Sequence, residues 1–418
     1  MPGRIPARRP TPARWAHHGA EQSGCARVAP GAGNGAGPGR IEAVNAQVET
    51  VIDLDAIAHN VRVLREFAQG AGVMAVVKAD GYNHGAVEVA RAALGAGAAE
   101  LGVTTVAEAL ALRAAGITAP ILCWLNTIDA DYAAAIAAGI EIGVSSLAQL
   151  RAVERAATAG GHPATISLKV DTGLNRNGVS AAEYPQLLRV LRRLVDEQTV
   201  RFRAIFSHLA HADEPEHPVL DRQRERFVET IAQAKEHGLE PEQVHLANSA
   251  ATLTRPDLHF DLVRPGIAVY GLSPIPELGE FGLRPAMTLQ AEVTLVKKVA
   301  AGQGVSYGHR WIAPRDTTVA LVPAGYADGV FRSLSGRFEV WLGGSRHRNV
   351  GRVCMDQFMV DLGDNVGGVR PGDTAVLFGG GAGHPRALDW ARLLDTIDYE
   401  IVCSPRGRAV RRYVGTGR

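Results

Sequence analysis

Several short apolar runs in this chain end in residues that can do chemistry. Val73–Val77 runs into Lys78, and Ala164–Val170 carries Lys169 and is followed by Asp171 and Arg176. Phe202–Phe206 ends at Ser207 and His208, Val244–Ala247 at Asn248 and Ser249, and Asp261–Val263 at Arg264. Gathered in one place, these groups are cationic with hydroxyls and lack a metal-rich carboxylate set, which suits an anionic ligand such as a phosphate. A lysine at the end of a buried strand loses hydration, so its pKa falls and imine chemistry becomes accessible. Position alone equally allows Lys78 to reach solvent at a rim. His208-Leu-Ala-His211-Ala-Asp213 sets two imidazoles and a carboxylate close together, so zinc is an alternative reading of that stretch.

Groups scattered over so many strand ends converge only if the strands are parallel and their ends share one face. Three further apolar runs, Leu101–Val103, Ala119–Trp124 and Ile140–Val144, complete a set of eight, most of them followed by an Ala-rich helical stretch. Continuous apolar strands alternating with helices indicate a parallel sheet covered on both faces. Eight such units predict an α/β fold of the (β/α)8 TIM-barrel type over residues 47–285, with an open doubly wound sheet as the alternative. After Pro285 the pattern changes to strand-like alternation in Thr288–Val299, Thr318–Val322, Phe338–Leu342, Met359–Leu362 and Thr374–Phe378, with helical patterning only near Trp390–Ile397. Residues 286–418 therefore read as a mostly β C-terminal domain. The Gly379-Gly380-Gly381 run lacks the lysine and helix of a phosphate loop and reads as a turn.

The first forty residues hold eight glycines, six prolines and six arginines without apolar periodicity, so residues 1–46 stand outside the fold as a disordered extension, or as a start placed too far upstream. The chain has 418 residues with 44 basic and 43 acidic side chains, a balance that excludes a general nucleic-acid or membrane-surface binder. Its longest uncharged stretch, Ala114–Ile128, is broken by Gly116 and Pro120 and falls short of the roughly twenty residues of a membrane span. Four cysteines without CxxC spacing fit a reducing, cytoplasmic setting.

The segment AVVKADGYNHGA, residues 75–86, resembles the pyridoxal-phosphate lysine motif of alanine racemases. The resemblance recurs in order through VIDLDAIAHNVRVLR, LKVDTGLNRNGV, FSHLAHADEP, HLANSAATL, LVRPGIAVYGL, GVSYGH, VGRVCMDQFMVDL and IDYEI, from about Thr50 to the C-terminus. DTGLNRNG stands where the commoner form reads DTGMGRLG, a variant similar to the actinobacterial branch. Gly81 and Asn83 depart from the usual lysine motif, which has glycine at the second position.

The resemblance implies a barrel followed by a β domain, the cofactor pyridoxal 5'-phosphate (PLP), and L-/D-alanine interconversion by two bases acting on an external aldimine, supplying D-alanine for peptidoglycan. It implies that Lys78 forms the Schiff base and is one base, and that Tyr82, Asn248, Ser249, Gly266, Ile267 and Tyr399 hold the phosphate. Glycine at 266 agrees, since it lets backbone N–H groups approach an anion. Arg264 would face the pyridine nitrogen, where many PLP enzymes place a carboxylate; an arginine stays charged and leaves the nitrogen unprotonated. Arg176 would contact the phenolic oxygen and substrate carboxylate, oriented by Lys169 if that lysine is carbamylated; the alternative is a plain Lys169–Asp171 pair. His208 would link Arg264 to the second base, Tyr307. Tyr307, Met355 and Asp356 would complete the site across a homodimer interface, the last two at the substrate carboxylate. No metal is implied. Two further functions compete: a decarboxylase or broader racemase on the same fold, which Arg264 opposes in the first case, and a PLP carrier, which would lack the β domain.

Overall fold

A computed structural model describes residues 46–417; residues 1–45, which hold nearly all of the proposed N-terminal extension, lie outside the described residues. The chain enters through β1 (Val48–Asp53), whose last residue caps the helix Leu54–Phe67: the Asp53 carboxylate accepts from the N–H groups of Asp55 (2.9 Å) and Ala56 (3.0 Å). Ile57, Val61 and Leu64 recur at helical spacing and are fully buried.

Eight parallel strands follow: β2 (Gly72–Val76), β3 (Glu100–Val103), β4 (Ile121–Cys123), β5 (Glu141–Val144), β6 (Ala164–Lys169), β7 (Val200–Phe206), β8 (Gln243–His245) and β9 (Leu262–Val263). Each pairs in parallel with the next from β2 to β8, and β9 pairs with β2. Between β9 and β8 the ring is drawn together by Asp261 N–H to Val244 O (3.1 Å) and Arg264 N–H to Ala247 O (2.9 Å). The expected barrel is thus present, each of its strands overlapping one of the eight apolar runs.

Its interior is layered. At the N-terminal ends of the strands, Arg203 forms ion pairs with Glu100 and with Glu141 (2.9 Å), while Gln243 donates to Glu100 (3.1 Å) and Ser167 to Glu141. Above this polar floor lies an apolar layer of Met74, Leu122, Phe206 and Leu262 packed against Trp124. The functional end comes next, at the C-terminal mouth.

The second sheet runs in the order β11-β14-β17-β16-β15-β18-β10-β1-β19, with β10 (Met287–Glu292), β11 (Leu295–Val299), β14 (Thr317–Val322), β15 (Glu339–Leu342), β16 (Ser345–Val350), β17 (Phe358–Gly363), β18 (Thr374–Phe378) and β19 (Ala409–Val414). A small hairpin, β12 (Gly304–Val305) and β13 (Trp311–Ile312), stands apart and carries Tyr307 in its turn. Phe338, Phe358, Phe378 and Trp390 meet edge-to-face in the core beside the nine-stranded sheet. One boundary needs correction. The sequence reading assigns residues from 47 onward to the barrel, yet β1 lies between β10 (antiparallel) and β19 (parallel) in the second sheet. Its alternating burial suits a sheet covered on one face, not a barrel strand buried on both. Among the described residues no helix is long and apolar enough to cross a membrane.

Burial pushes the Glu141 carboxyl up to about 7, with Ser167 and Arg203 pulling the other way. Between the ordinary glutamate pKa and that value the folded chain holds a proton the unfolded chain has released, so stability falls as pH rises. We expect urea midpoints to drop between about pH 5 and 8 by roughly 1–3 kcal/mol of stability, and Glu141→Gln to flatten that slope.

Candidate active site

Lys78 follows β2 after one residue, Val77, and opens a turn, Lys78–Tyr82, of the wrong hand. Ala79, Asp80, Gly81, Tyr82 and Asn83 all have φ between 50° and 65°, the left-handed region. For a non-glycine L-residue this costs about 1–2 kcal/mol, so the turn must be held from outside. It is held on several sides. Asp80 accepts from Ala86 N–H (2.9 Å) and pairs with Arg411 (2.8 Å). The Asn83 amide donates to Pro405 O (2.8 Å) and accepts from Arg411 (3.0 Å). Both departures from the lysine motif fall here: asparagine tolerates the left-handed C-cap, and at Gly81 a Cβ would lie 3.2 Å from the Ala86 backbone.

The turn aims Tyr82 across the barrel mouth to Gly266, where an added Cβ would meet the Tyr82 hydroxyl at 2.3 Å. Gly266 N–H donates to Ser249 Oγ (2.8 Å), which ties the end of β9 to the end of β8. Asn248 also lines this space, but its Oδ1 accepts from Ala251 N–H (3.1 Å) and caps the helix Ser249–Thr254, so it sets the direction of that helix start. Tyr399, from the short helix Asp398–Val402, reaches in from the β domain, its ring 6.2 Å from that of Tyr82.

These groups line one cavity of about 400 Å³ together with Lys78, Lys169, Arg176, His208, Arg264 and Ile267. Every residue the sequence reading assigns to cofactor binding is therefore on its wall. Arg264 is buried, its guanidinium donating to Ser207 O (2.6 Å) and Leu246 O (3.2 Å) and bonded to His245 Nδ1 (2.8 Å). Desolvation pulls its pKa down to about 9, which leaves it charged near neutrality. Burial, with Arg176 second, also lowers the Lys78 amine, against the opposing charge of Glu108. Burial and the cations Arg264, Arg176 and Lys78 bring Lys169 to about 8 and His208 to about 3, so His208 is neutral. Lys169 makes no ion pair with Asp171, whose carboxylate accepts from Gly173 N–H (2.9 Å) and Asn175 N–H (3.1 Å) and folds the loop that carries Arg176.

The proposed Arg264–His208 link is not formed; the imidazole on Arg264 is His245. The reason is topological, since β9 is drawn against β8 and His245 ends that strand with its ring stacked on Phe206 at 5.0 Å. His245 is a site residue the sequence reading missed, although a histidine inside an apolar strand run was a usable signal. Trp124 is another: it lines the cavity, seated where a Cβ on Gly102 would lie 2.5 Å from its ring. Tyr307, Met355 and Asp356 are not in this cavity. Tyr307 is 69% and Met355 54% exposed, and Asp356 pairs with Arg408 (2.8 Å). His211 lies outside it with Glu214 and His217, but the two imidazoles are parallel within 4° at 3.8 Å. As placed, the in-plane lone pairs of the two parallel rings do not meet at one point.

Gly266→Ala should lower stability by about 1–3 kcal/mol through overpacking against the Tyr82 hydroxyl. Adding Tyr82→Phe should return most of that loss, because the next contact, the ring carbon, lies at 3.0 Å; urea unfolding of the single and double variants checks it.

Residues 52–274 match the family model of the alanine racemase N-terminal domain, and residues 286–413 that of the alanine racemase C-terminal domain. The chain is 60% identical over 374 residues to the alanine racemase of Mycolicibacterium smegmatis, covering 89% of this chain and 96% of that one. It is 59% identical over 366 residues to that of Mycobacterium tuberculosis, covering 87% and 95%. Among solved structures it is similar to alanine racemase from D-cycloserine-producing Streptomyces lavendulae, with a TM-score of 0.86 at 50% identity over 89% of this chain and 98% of that one. The Bacillus anthracis alanine racemase with bound L-Ala-P gives 0.81 at 36% identity over 90% and 97%. With both of its halves matched, this chain belongs to the alanine racemase family.

Proposed function

We propose that this chain interconverts L- and D-alanine in the cytoplasm with PLP carried on Lys78, as a homodimer whose two sites each draw on both copies. The D-alanine so made suits cell-wall peptide synthesis. The observation that carries this reading is Arg264, a buried cation at the mouth of a barrel whose neighbouring strand ends supply a lysine, a serine hydroxyl and a glycine. The donor set fits a phosphate: Ser249, Tyr82 and Tyr399 offer hydroxyls, and the missing Cβ of Gly266 leaves room for an anion against its backbone and that of Ile267.

When bound, PLP supplies an electron sink that makes the Cα proton of an attached amino acid removable. Everything else falls to the protein. Arg264, charged near neutrality and held as a donor by Ser207 O, Leu246 O and His245, would offer a ring nitrogen beside it no proton acceptor, which would keep that sink weak. A donor at that place would therefore favour return of a proton over side reactions. Lys78 Nζ, its proton affinity lowered by burial, takes or returns the proton on one face. The opposite face needs a second base, and Tyr307 of the partner subunit supplies it; its exposure on the single chain leaves it available to a second copy. Met355 and Asp356 come with it toward the substrate carboxylate, which Arg176 also meets. Lys169, with its pKa near 8, has enough neutral amine to add carbon dioxide and release a proton, giving an anion that orients Arg176.

Chiral chromatography of L-alanine incubated with the chain and PLP tests the reaction, with serine, arginine and lysine in parallel. D-Alanine should form, and the other amino acids should stay largely unchanged. Lys78→Ala and Tyr307→Phe should each abolish racemisation, yet mixing them after reversible dissociation should restore about a quarter of wild-type activity, since half of the dimers are then mixed and each has one intact site. No recovery on mixing would place both bases on one chain.

A further inference from the structure

The strained turn after Lys78 is anchored by a residue that does not line the cavity. Glu108 lies in the first turn of the helix Val106–Ala114, which follows β3. Its Oε2 accepts from Thr104 N–H (2.7 Å) and Thr105 N–H (3.1 Å), the ordinary reach of a capping-box glutamate to its own N-cap. Its Oε1 turns away from that helix and accepts from Ala79 N–H at 2.8 Å. Ala79 is the first left-handed residue after Lys78. One carboxylate therefore ties the backbone on the far side of Lys78 to the end of the neighbouring strand.

We propose that Glu108 is a positioning residue for Lys78: by holding Ala79 N–H against the end of β3, it fixes the direction in which the lysine side chain enters the cavity. On the near side, Val77 N–H already donates to Gly102 O (2.8 Å), so Lys78 is pinned to β3 both before and after its own Cα. Without the second tie, the turn would be free to relax toward the right-handed region and re-aim the side chain. The negative charge acts in the same sense, since Glu108 opposes the loss of proton affinity that burial and Arg176 impose on the amine. The catalytic consequence rests on the reading of Lys78 given above, whereas the geometry is a property of the cofactor-free chain.

Three variants separate positioning from capping. Glu108→Gln keeps one acceptor and removes the charge, and Glu108→Ala removes both. Thr105→Ala breaks the other half of the capping box, Glu108 N–H to Thr105 Oγ1 (3.2 Å), and leaves the Ala79 bond intact. Competitive acetylation of the cofactor-free chain across pH, read by mass spectrometry of the Lys78 peptide, gives the titration midpoint of the amine. Glu108→Gln should move that midpoint to lower pH. Glu108→Ala should lower kcat for alanine about tenfold or more with little change in KM, because a misaimed base costs rate more than binding. Thr105→Ala should melt at lower temperature with the Lys78 midpoint and kcat unchanged. If the midpoint stays put in Glu108→Gln, and Glu108→Ala and Thr105→Ala lose equal activity, Glu108 is only a helix cap and the proposal falls. A wild-type chain that does not racemise alanine would overturn the functional reading instead, and the acetylation midpoints would still decide the role of Glu108.

Discussion

Four cations, Lys78, Lys169, Arg176 and Arg264, are brought to one end of the barrel, and among the described residues on the cavity wall Asp213 is the one carboxylate. Like charges in a partly dry space repel, and each lowers the proton affinity of the others. Burial first, and that field second, lower the proton affinity of Lys169 and His208. The rest of the structure supports the crowding. Backbone carbonyls of Ser207 and Leu246 and the neutral ring of His245 solvate Arg264, and Glu108 partly offsets the field at Lys78. A mouth this positive favours anions, and the phosphate and carboxylate proposed above would relieve the repulsion on binding.

Such crowding requires a rigid frame, and the layered interior of the barrel provides one. Arg203 shared between Glu100 and Glu141 ties β3, β5 and β7 together at the end away from the cavity. The apolar layer above separates this floor from the site, so the two sets of charges occupy opposite ends of one tube. Glycines in the strands do comparable work at the mouth, since Gly102 on β3 and Gly143 on β5 make the space that Trp124 fills. Rigidity beneath the site lets a left-handed turn persist where a looser scaffold would let it relax.

The barrel was legible in the sequence because strands buried on both faces must be continuously apolar, a pattern that survives in one dimension. The second sheet was only partly so. β16, Ser-Arg-His-Arg-Asn-Val, exposes half of its side chains and is polar at five of six positions, and β19 is an edge strand with two arginines, so neither carries an apolar signature. The boundary at residue 47 follows chain order, so β1 goes to the barrel by position, and nothing in so short a segment says which sheet it joins. The reactive groups Lys78, Arg264 and Tyr82 were identifiable from strand ends and motif. Which imidazole touches Arg264 was not, since that depends on how two strands distant in sequence close the ring. The double reach of Glu108 was invisible for the same reason: its capping half is local, and its other half belongs to a different strand.

The placement of β1 bears on how the chain is made. The first described strand, β1, pairs on one side with β10 and on the other with β19, the last described strand. While the ribosome extends the barrel, β1 has both edges unpaired, and its first partner emerges only once the eight barrel strands are complete. Its other partner, β19, follows only after the remaining strands of the second sheet. The β domain is therefore discontinuous in sequence, and a nascent chain or a fragment ending near residue 285 would carry an orphan strand open to pairing with other copies. Synthesis through β19, as much as any single contact, is what seals this sheet.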